Sequence, residues 1–294
     1  MLKLRGCGTA LVTPFLADGS IDDKALRSLV AWQVESGIDF LVPCGTTGET
    51  PTLSHAEWRQ VIETTIEVAA GRVPIVAGAT SYATAEAVQK ASEVANIKGV
   101  DAILTASPYY NKPTQEGQFQ HFKAIAEAAN IPIVLYNVPG RTGVNIEPDT
   151  LLRLSEVPNI AAVKEASGRI SQIAEICALI PGFTVLSGDD ALTLPAISVG
   201  GVGVISVASN AFPKEMADLT RAALTNDWVK ARDLYQKYLA LMQANFIESN
   251  PMPVKAVLAM MGRIQENYRL PMVKMQPNLR AKLEAIARAA GVVK

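Results

Sequence analysis

Eight short apolar runs recur along this 294-residue chain. They are spaced roughly 25–35 residues apart, the size of one strand–helix unit. The candidate strands are Gly8–Thr13, Phe40–Cys44, Pro74–Ala79, Ala102–Ala106, Ile133–Asn137, Ile160–Glu165, Thr184–Ser187 and Gly203–Val207. They are rich in Val and Ile and lack polar–apolar alternation, as expected of parallel strands buried on both faces. The segments between them carry a helical period. Leu26, Leu29, Val30 and Val34 form one apolar stripe, with Gly37 as the stop. Ser54-His55-Ala56-Glu57 is a capping box; Trp58, Val61, Ile62, Thr65, Ile66 and Ala69 follow it, and Gly71 is the expected stop. Ala87, Val88, Ala91, Val94 and Ala95 repeat the pattern, as do Ile170, Ile173, Ile176, Cys177 and Ile180 before Pro181-Gly182. Eight such units predict an α/β fold, a (β/α)8 TIM barrel over residues 1–224. Residues 225–294 read as a C-terminal helical region packed on the barrel, with helices at Trp228–Asn245, Pro253–Met261 and Asn278–Ala290. A doubly wound sheet is the alternative, but it calls for a dinucleotide fingerprint. Gly6-Cys7-Gly8 and Gly200-Gly201-Val202-Gly203 do not supply one.

Composition narrows the function. A formal net charge of −1, without a basic stripe or acidic tail, argues against nucleic acid and membrane as partners. No apolar run approaches a membrane span. Lys3, Arg5 and the stretch Cys7–Ala17 faintly mimic a signal peptide, but Pro14 interrupts it and the first strand needs it, so the expected setting is cytoplasmic. Cys7, Cys44 and Cys177 are odd in number and widely separated, which supports neither a disulfide framework nor a zinc site. Cys44 reads as a buried filler, with a reactive thiol as the alternative. His55 and His121 read as structural or exposed, and no histidine–carboxylate cluster has metal spacing. There is no P-loop and no GxSxG. The expected chemistry needs no cofactor and no metal.

Lys164 lies in Ile160-Ala161-Ala162-Val163-Lys164-Glu165-Ala166-Ser167, an otherwise apolar run. Burial there disfavours the ammonium, and a neutral amine can form a Schiff base with a carbonyl. The competing reading is a lysine that snorkels to the strand end or pairs with a carboxylate. Glu165 is a poor partner, because adjacent strand residues point to opposite faces. Barrel active sites lie at the C-terminal ends of the strands, and polar residues gather at those ends here. Tyr136, on the strand before Lys164, suits proton transfer in Schiff-base formation or is an ordinary hydrogen-bonded core tyrosine. Gly45-Thr46-Thr47-Gly48 suits a carboxylate or phosphate or is a plain turn. Arg141, after Pro139-Gly140, suits a substrate carboxylate or is a surface arginine in a loop.

Several of these segments together resemble the dihydrodipicolinate synthase/N-acetylneuraminate lyase family. The segments are Gly45-Thr46-Thr47-Gly48-Glu49, Ser107-Pro108-Tyr109-Tyr110-Asn111-Lys112-Pro113, Tyr136-Asn137-Val138-Pro139 with Arg141-Thr142-Gly143, and Val163-Lys164-Glu165-Ala166. Leu186-Ser187-Gly188-Asp189-Asp190, Gly203-Val204-Ile205-Ser206-Val207, Asn250-Pro251-Met252-Pro253-Val254-Lys255 and Arg269-Leu270-Pro271-Met272 also fit, the last two favouring the synthase branch. The resemblance implies a class I aldolase barrel that condenses pyruvate with L-aspartate 4-semialdehyde in lysine and diaminopimelate biosynthesis. It implies that Lys164 forms the Schiff base and Tyr136 shuttles protons. Thr46 would link Tyr136 to Tyr110, the latter coming from a neighbouring subunit. Thr46 and Thr47 would hold the pyruvate carboxylate, Arg141 the carboxylate of the semialdehyde, and Gly188 and Ile205 would contact bound substrate. It further implies a homotetramer, a dimer of dimers, and an effector site for lysine at His55, Glu86 and Tyr109. Trp58 and Tyr82 stand in that site where smaller polar residues are common, so weak or absent lysine inhibition is expected. A Schiff-base lyase acting on a sialic or 2-keto-3-deoxy sugar acid is the alternative activity. A noncatalytic barrel that binds a keto acid is the alternative of another class.

Overall fold

The computed structural model describes residues 4–294, and Lys3 of the signal-like stretch lies outside them. Among the described residues eight strands alternate with helices: β1 (Gly6–Ala10), β2 (Phe40–Val42), β3 (Val76–Gly78), β4 (Ala102–Ala106), β5 (Ile133–Asn137), β6 (Ile160–Glu165), β7 (Thr184–Ser187) and β8 (Gly203–Ser206). Each strand pair is parallel, in the order β2-β1-β8-β7-β6-β5-β4-β3. The seam between β2 and β3 is closed by the parallel bridge Leu41–Ile75 and by Gly78 N donating to Pro43 O at 3.0 Å. The expected barrel is therefore present. Side chains pointing inward, among them Phe40, Val76, Leu104, Val134, Leu186 and Ile205, form one apolar cluster. Those pointing outward pack with the surrounding helices into another.

β4 to β7 have the bounds read from the sequence, and the other strands differ at their ends. β1 starts at Gly6 because backbones meet closely there: a Cβ on Gly203 would lie 2.0 Å from Gly6 O. It stops at Ala10, beyond which Val12 N is satisfied by Asn210 Oδ1 at 3.1 Å instead of by a strand partner. β2 is cut short by Cys44, whose backbone is left-handed (φ 57) and leads into a tight turn over Thr46–Gly48. A Cβ on Gly78 would come within 1.9 Å of Cys44 O, so the β2–β3 crossing requires glycine at 78.

The capping box before helix His55–Ala69 is formed in both directions: Glu57 N donates to Ser54 Oγ at 3.3 Å and Ser54 N to Glu57 Oε2 at 2.8 Å. The helix ends at Ala69, two residues before the expected stop Gly71. Ala70 takes the left-handed conformation (φ 51), its N–H bonded to Ile66 O, and Gly71 follows it there. After helix Pro213–Leu224 come helices Trp228–Ala244, Met252–Met260 and Pro277–Ala289. Their buried Leu241, Val254, Leu258 and Leu283 belong to the same apolar cluster as the outer layer of the barrel. Among the described residues no helix is long and apolar enough to cross a membrane.

Candidate active site

The β5–β6 register places Tyr136 directly beside Lys164. Lys164 is only 5 % exposed, and its Nζ lies 4.1 Å from the centroid of the Tyr136 ring. Burial pulls the amine down from 10.5 to about 7; Asp190 works against that shift and the Arg141 cation adds to it. No carboxylate lies within salt-bridge distance of it among the described residues. Its neighbour Glu165 faces the other way, accepting hydrogen bonds from Asn137 Nδ2 (2.8 Å), Gln172 Nε2 (3.0 Å) and Ser167 N (2.6 Å). Burial pushes the Tyr136 phenol up to about 12, which keeps it protonated at neutral pH.

Tyr136 forms part of the wall of a cavity of about 270 Å³ at the barrel mouth, together with Thr46, Thr80, Lys90, Tyr109 and Arg141. Lys164 does not line this cavity; it lies against Tyr136, which does. Thr47 is buried, and its Oγ1 accepts from Asn250 Nδ2 at 2.9 Å. The hydroxyl proton of Thr47 is thereby left free to donate elsewhere. Arg141 Nη2 donates to the carbonyl of the same Asn250 at 3.3 Å. Asn250 thus touches both candidate carboxylate anchors, a role its sequence position in an Asn-Pro step did not signal.

Gly188 continues the β6–β7 ladder, donating its N–H to Glu165 O at 2.8 Å. A Cβ there would stand 2.6 Å from Ala166 Cβ and 3.1 Å from Lys164 Cε, so the absent side chain makes room for the lysine stem. Ile205 is fully buried in the inner cluster that contains Tyr136. Asp190 was not singled out from the sequence. It is buried, accepts from Val207 N (3.1 Å) and Ala208 N (2.9 Å), and is pushed up to about 6 by burial.

Tyr110 sits apart from the cavity. It is 87 % exposed with a left-handed backbone (φ 72). Among the described residues no hydrogen bond joins Tyr136, Thr46 and Tyr110 within one chain. His55 Nε2 meets Glu93 Oε2 at 2.7 Å, Glu86 accepts from Ser81 Oγ at 2.7 Å, and Tyr109 packs edge-on against Tyr82 at 5.3 Å. Trp58 is a core side chain whose Nε1 donates to Gly78 O at 3.0 Å, whereas Tyr82 is exposed. His121 is buried and driven down to about 4. Cys44 is buried at the cavity wall, and burial pushes its thiol up, away from reactivity. No group of three metal-ligating side chains occurs among the described residues.

The model of the Dihydrodipicolinate synthetase family matches residues 3–290. The chain is 73% identical over 294 residues to a 4-hydroxy-tetrahydrodipicolinate synthase of Koribacter versatilis, covering 100% of this chain and 98% of that one. It is 58% identical to the enzyme of the same name from Acidobacterium capsulatum, covering 99% and 97%. The solved structure of the 4-hydroxy-tetrahydrodipicolinate synthase from Methylacidiphilum fumariolicum superposes with a TM-score of 0.96 at 46% identity, covering 98% of this chain and 96% of that one.

Proposed function

The chain belongs to the dihydrodipicolinate synthetase family, and from that premise we propose that it condenses pyruvate with L-aspartate 4-semialdehyde to 4-hydroxy-tetrahydrodipicolinate, for lysine and diaminopimelate synthesis. The observation that carries this reading is Lys164, a buried amine held near pH 7 beside a protonated phenol. The neutral amine attacks the ketone carbon of pyruvate, and the carbinolamine loses water to give an iminium. Tyr136 donates and removes protons in those steps. The cationic nitrogen then accepts electron density, a methyl proton leaves, and the enamine carbon bonds to the aldehyde carbon of the second substrate. The amine of the semialdehyde adds to the iminium carbon and displaces Lys164, which closes the ring and frees the enzyme. Thr46 and Thr47 hold the pyruvate carboxylate and Arg141 that of the semialdehyde, while Gly188 and Ile205 shape the space around the adduct. Tyr110, exposed here, completes the proton path of a neighbouring copy in a homotetramer built as a dimer of dimers. The proposed setting is the cytoplasm.

Borohydride reduction in the presence of pyruvate, followed by mass spectrometry, tests the reading: an adduct on Lys164 is expected, and its absence overturns the enzyme assignment. Arg141→Ala separates the synthase from a sugar-acid lyase. It is expected to cripple turnover of aspartate semialdehyde while leaving pyruvate trapping nearly intact; full turnover in the variant contradicts the second substrate.

A further inference from the structure

Glu49 and Lys255 form a fully buried ion pair between the loop that carries Thr46 and Thr47 and the C-terminal helical region. Lys255 is 0 % exposed, and its Nζ lies 2.5 Å from Glu49 Oε1 and 3.0 Å from Thr13 O. The ammonium also faces the rings of Phe15 at 4.4 Å and Tyr268 at 5.0 Å. Glu49 Oε2 accepts from Arg269 N at 3.3 Å. The two residues are 206 positions apart, and neither lines the cavity at the barrel mouth.

Such a pair is an expensive way to fill a core. Two apolar side chains of similar volume commonly give equal or greater stability, because desolvating both charges offsets their attraction. What the pair supplies is direction, and its position says to what. Glu49 closes the tight turn Thr46–Gly48: its N–H bonds to Thr46 O at 3.1 Å, and its backbone is left-handed (φ 53), a conformation a glutamate adopts at some cost. The preceding residue is tied as well, Gly48 O accepting from Thr13 Oγ1 at 2.7 Å. Lys255 also donates to Thr13 O, so one ammonium holds both Glu49 and the residue whose hydroxyl ties Gly48. Asn250, five residues before Lys255 in sequence and just ahead of helix Met252–Met260, holds Thr47 Oγ1.

We infer that the Glu49–Lys255 pair is a positioning device for pyruvate, holding the Thr46–Thr47 carboxylate anchor in register with Lys164 from outside the site. The C-terminal helices are then part of the substrate site and not only a cover for the barrel. The inference rests on the proposed role of Thr46 and Thr47 in binding pyruvate.

The test is the double variant Glu49→Leu/Lys255→Met, compared with wild type for pyruvate KM, semialdehyde KM, kcat and thermal unfolding. Wild type is first shown to trap pyruvate at Lys164; failure at that step overturns the functional reading and not this inference. With trapping established, the double variant is expected to unfold at or above the wild-type temperature while pyruvate KM rises at least about tenfold, as for a misplaced anchor. The semialdehyde KM is expected to change by less than about threefold. Wild-type pyruvate KM in the folded double variant overturns the inference, as does an equal rise in both KM values. Should the double variant not fold, Glu49→Gln decides by the same KM comparison and by amide hydrogen exchange over Thr46–Glu49. Faster exchange with raised pyruvate KM supports positioning, and unchanged values overturn it.

Discussion

Replacing Lys164 by Met is predicted to abolish the pyruvate adduct and to stabilise the protein. Methionine is unbranched and of similar length, so the packing against Tyr136 and Gly188 is largely kept. The gain comes from the proton. In the unfolded chain the amine returns to its ordinary value of 10.5, whereas in the fold it titrates near 7. Between those two pH values the unfolded state binds more protons than the folded one, so the wild-type protein becomes more stable as pH rises. The lysine therefore costs most below pH 7 and nothing above about 10.5. Linkage puts the cost at about 4 kcal/mol at pH 7 and about 2 kcal/mol at pH 9. For a chain of this size each kcal/mol moves the midpoint by about 2–4 °C. The assay is thermal and urea unfolding of wild type and Lys164→Met at pH 7 and pH 9, at one protein concentration because assembly also contributes. The variant is expected to be more stable at both, with roughly half the advantage at the higher pH. Equal stabilities, or an advantage that grows with pH, would refute the claim that Lys164 is held as a desolvated amine.

Three further outcomes follow from the same site. Asp190→Asn removes the carboxylate that favours the Lys164 ammonium, so the pH at which pyruvate trapping reaches half its maximal rate is predicted to move below the wild-type value near 7; a shift upward contradicts the charge coupling. Gly188→Ala places a Cβ 2.6 Å from Ala166 Cβ and 3.1 Å from Lys164 Cε, and is predicted to slow adduct formation about ten- to a hundredfold, checked by timed borohydride trapping. L-lysine is predicted to inhibit weakly or not at all, because the exposed Tyr82 ring is packed edge-on against Tyr109 where the effector would sit; potent inhibition at millimolar lysine or below in a steady-state assay defeats that expectation.

The barrel was legible in the sequence because its signal is periodic and local. Eight Val/Ile-rich runs with helical stripes between them leave few topologies, and the burial of Lys164 was expected from the apolar run around it. Strand ends were less legible because non-local atoms set them. β1 stops where Asn210, far along the chain, takes over the N–H of Val12, and it begins at Gly6, where a Cβ would stand 2.1 Å from Asp39 Oδ2. The expected strand began at Gly8, because nothing local marks the contact with Asp39. The same limit applies to the site. Thr46 follows β2, Tyr136 and Arg141 lie on and just after β5, and Lys164 lies on β6, so all four could be placed at the rim by counting strands. Asn250 and Asp190 act through contacts that no spacing rule announces: a side-chain amide on Thr47, and a carboxylate buried under two backbone amides.

Among the described residues two lysines, Lys164 and Lys255, are almost completely buried, and comparing them separates the two readings that the sequence left open for Lys164. Lys164 sits in an apolar strand and Lys255 in an apolar helix, so hydropathy treats them alike. Burial lowers both amines. The difference is the partner. Lys255 has a carboxylate at 2.5 Å, a backbone carbonyl at 3.0 Å and two aromatic faces, and every one of those contacts favours the ammonium. Its nitrogen lone pair is thereby withheld from chemistry, and the amine acts as a strut. Lys164 has an aromatic face at 4.1 Å and no carboxylate in contact, while Arg141 adds repulsion. Its proton is held loosely enough to be lost near neutral pH, which is the condition for attack on a ketone. Moving one carboxylate into contact with Lys164 would convert the nucleophile into a second strut. The position of Glu165, one residue away but on the opposite face with its oxygens bound by Asn137, Gln172 and Ser167, keeps that from happening.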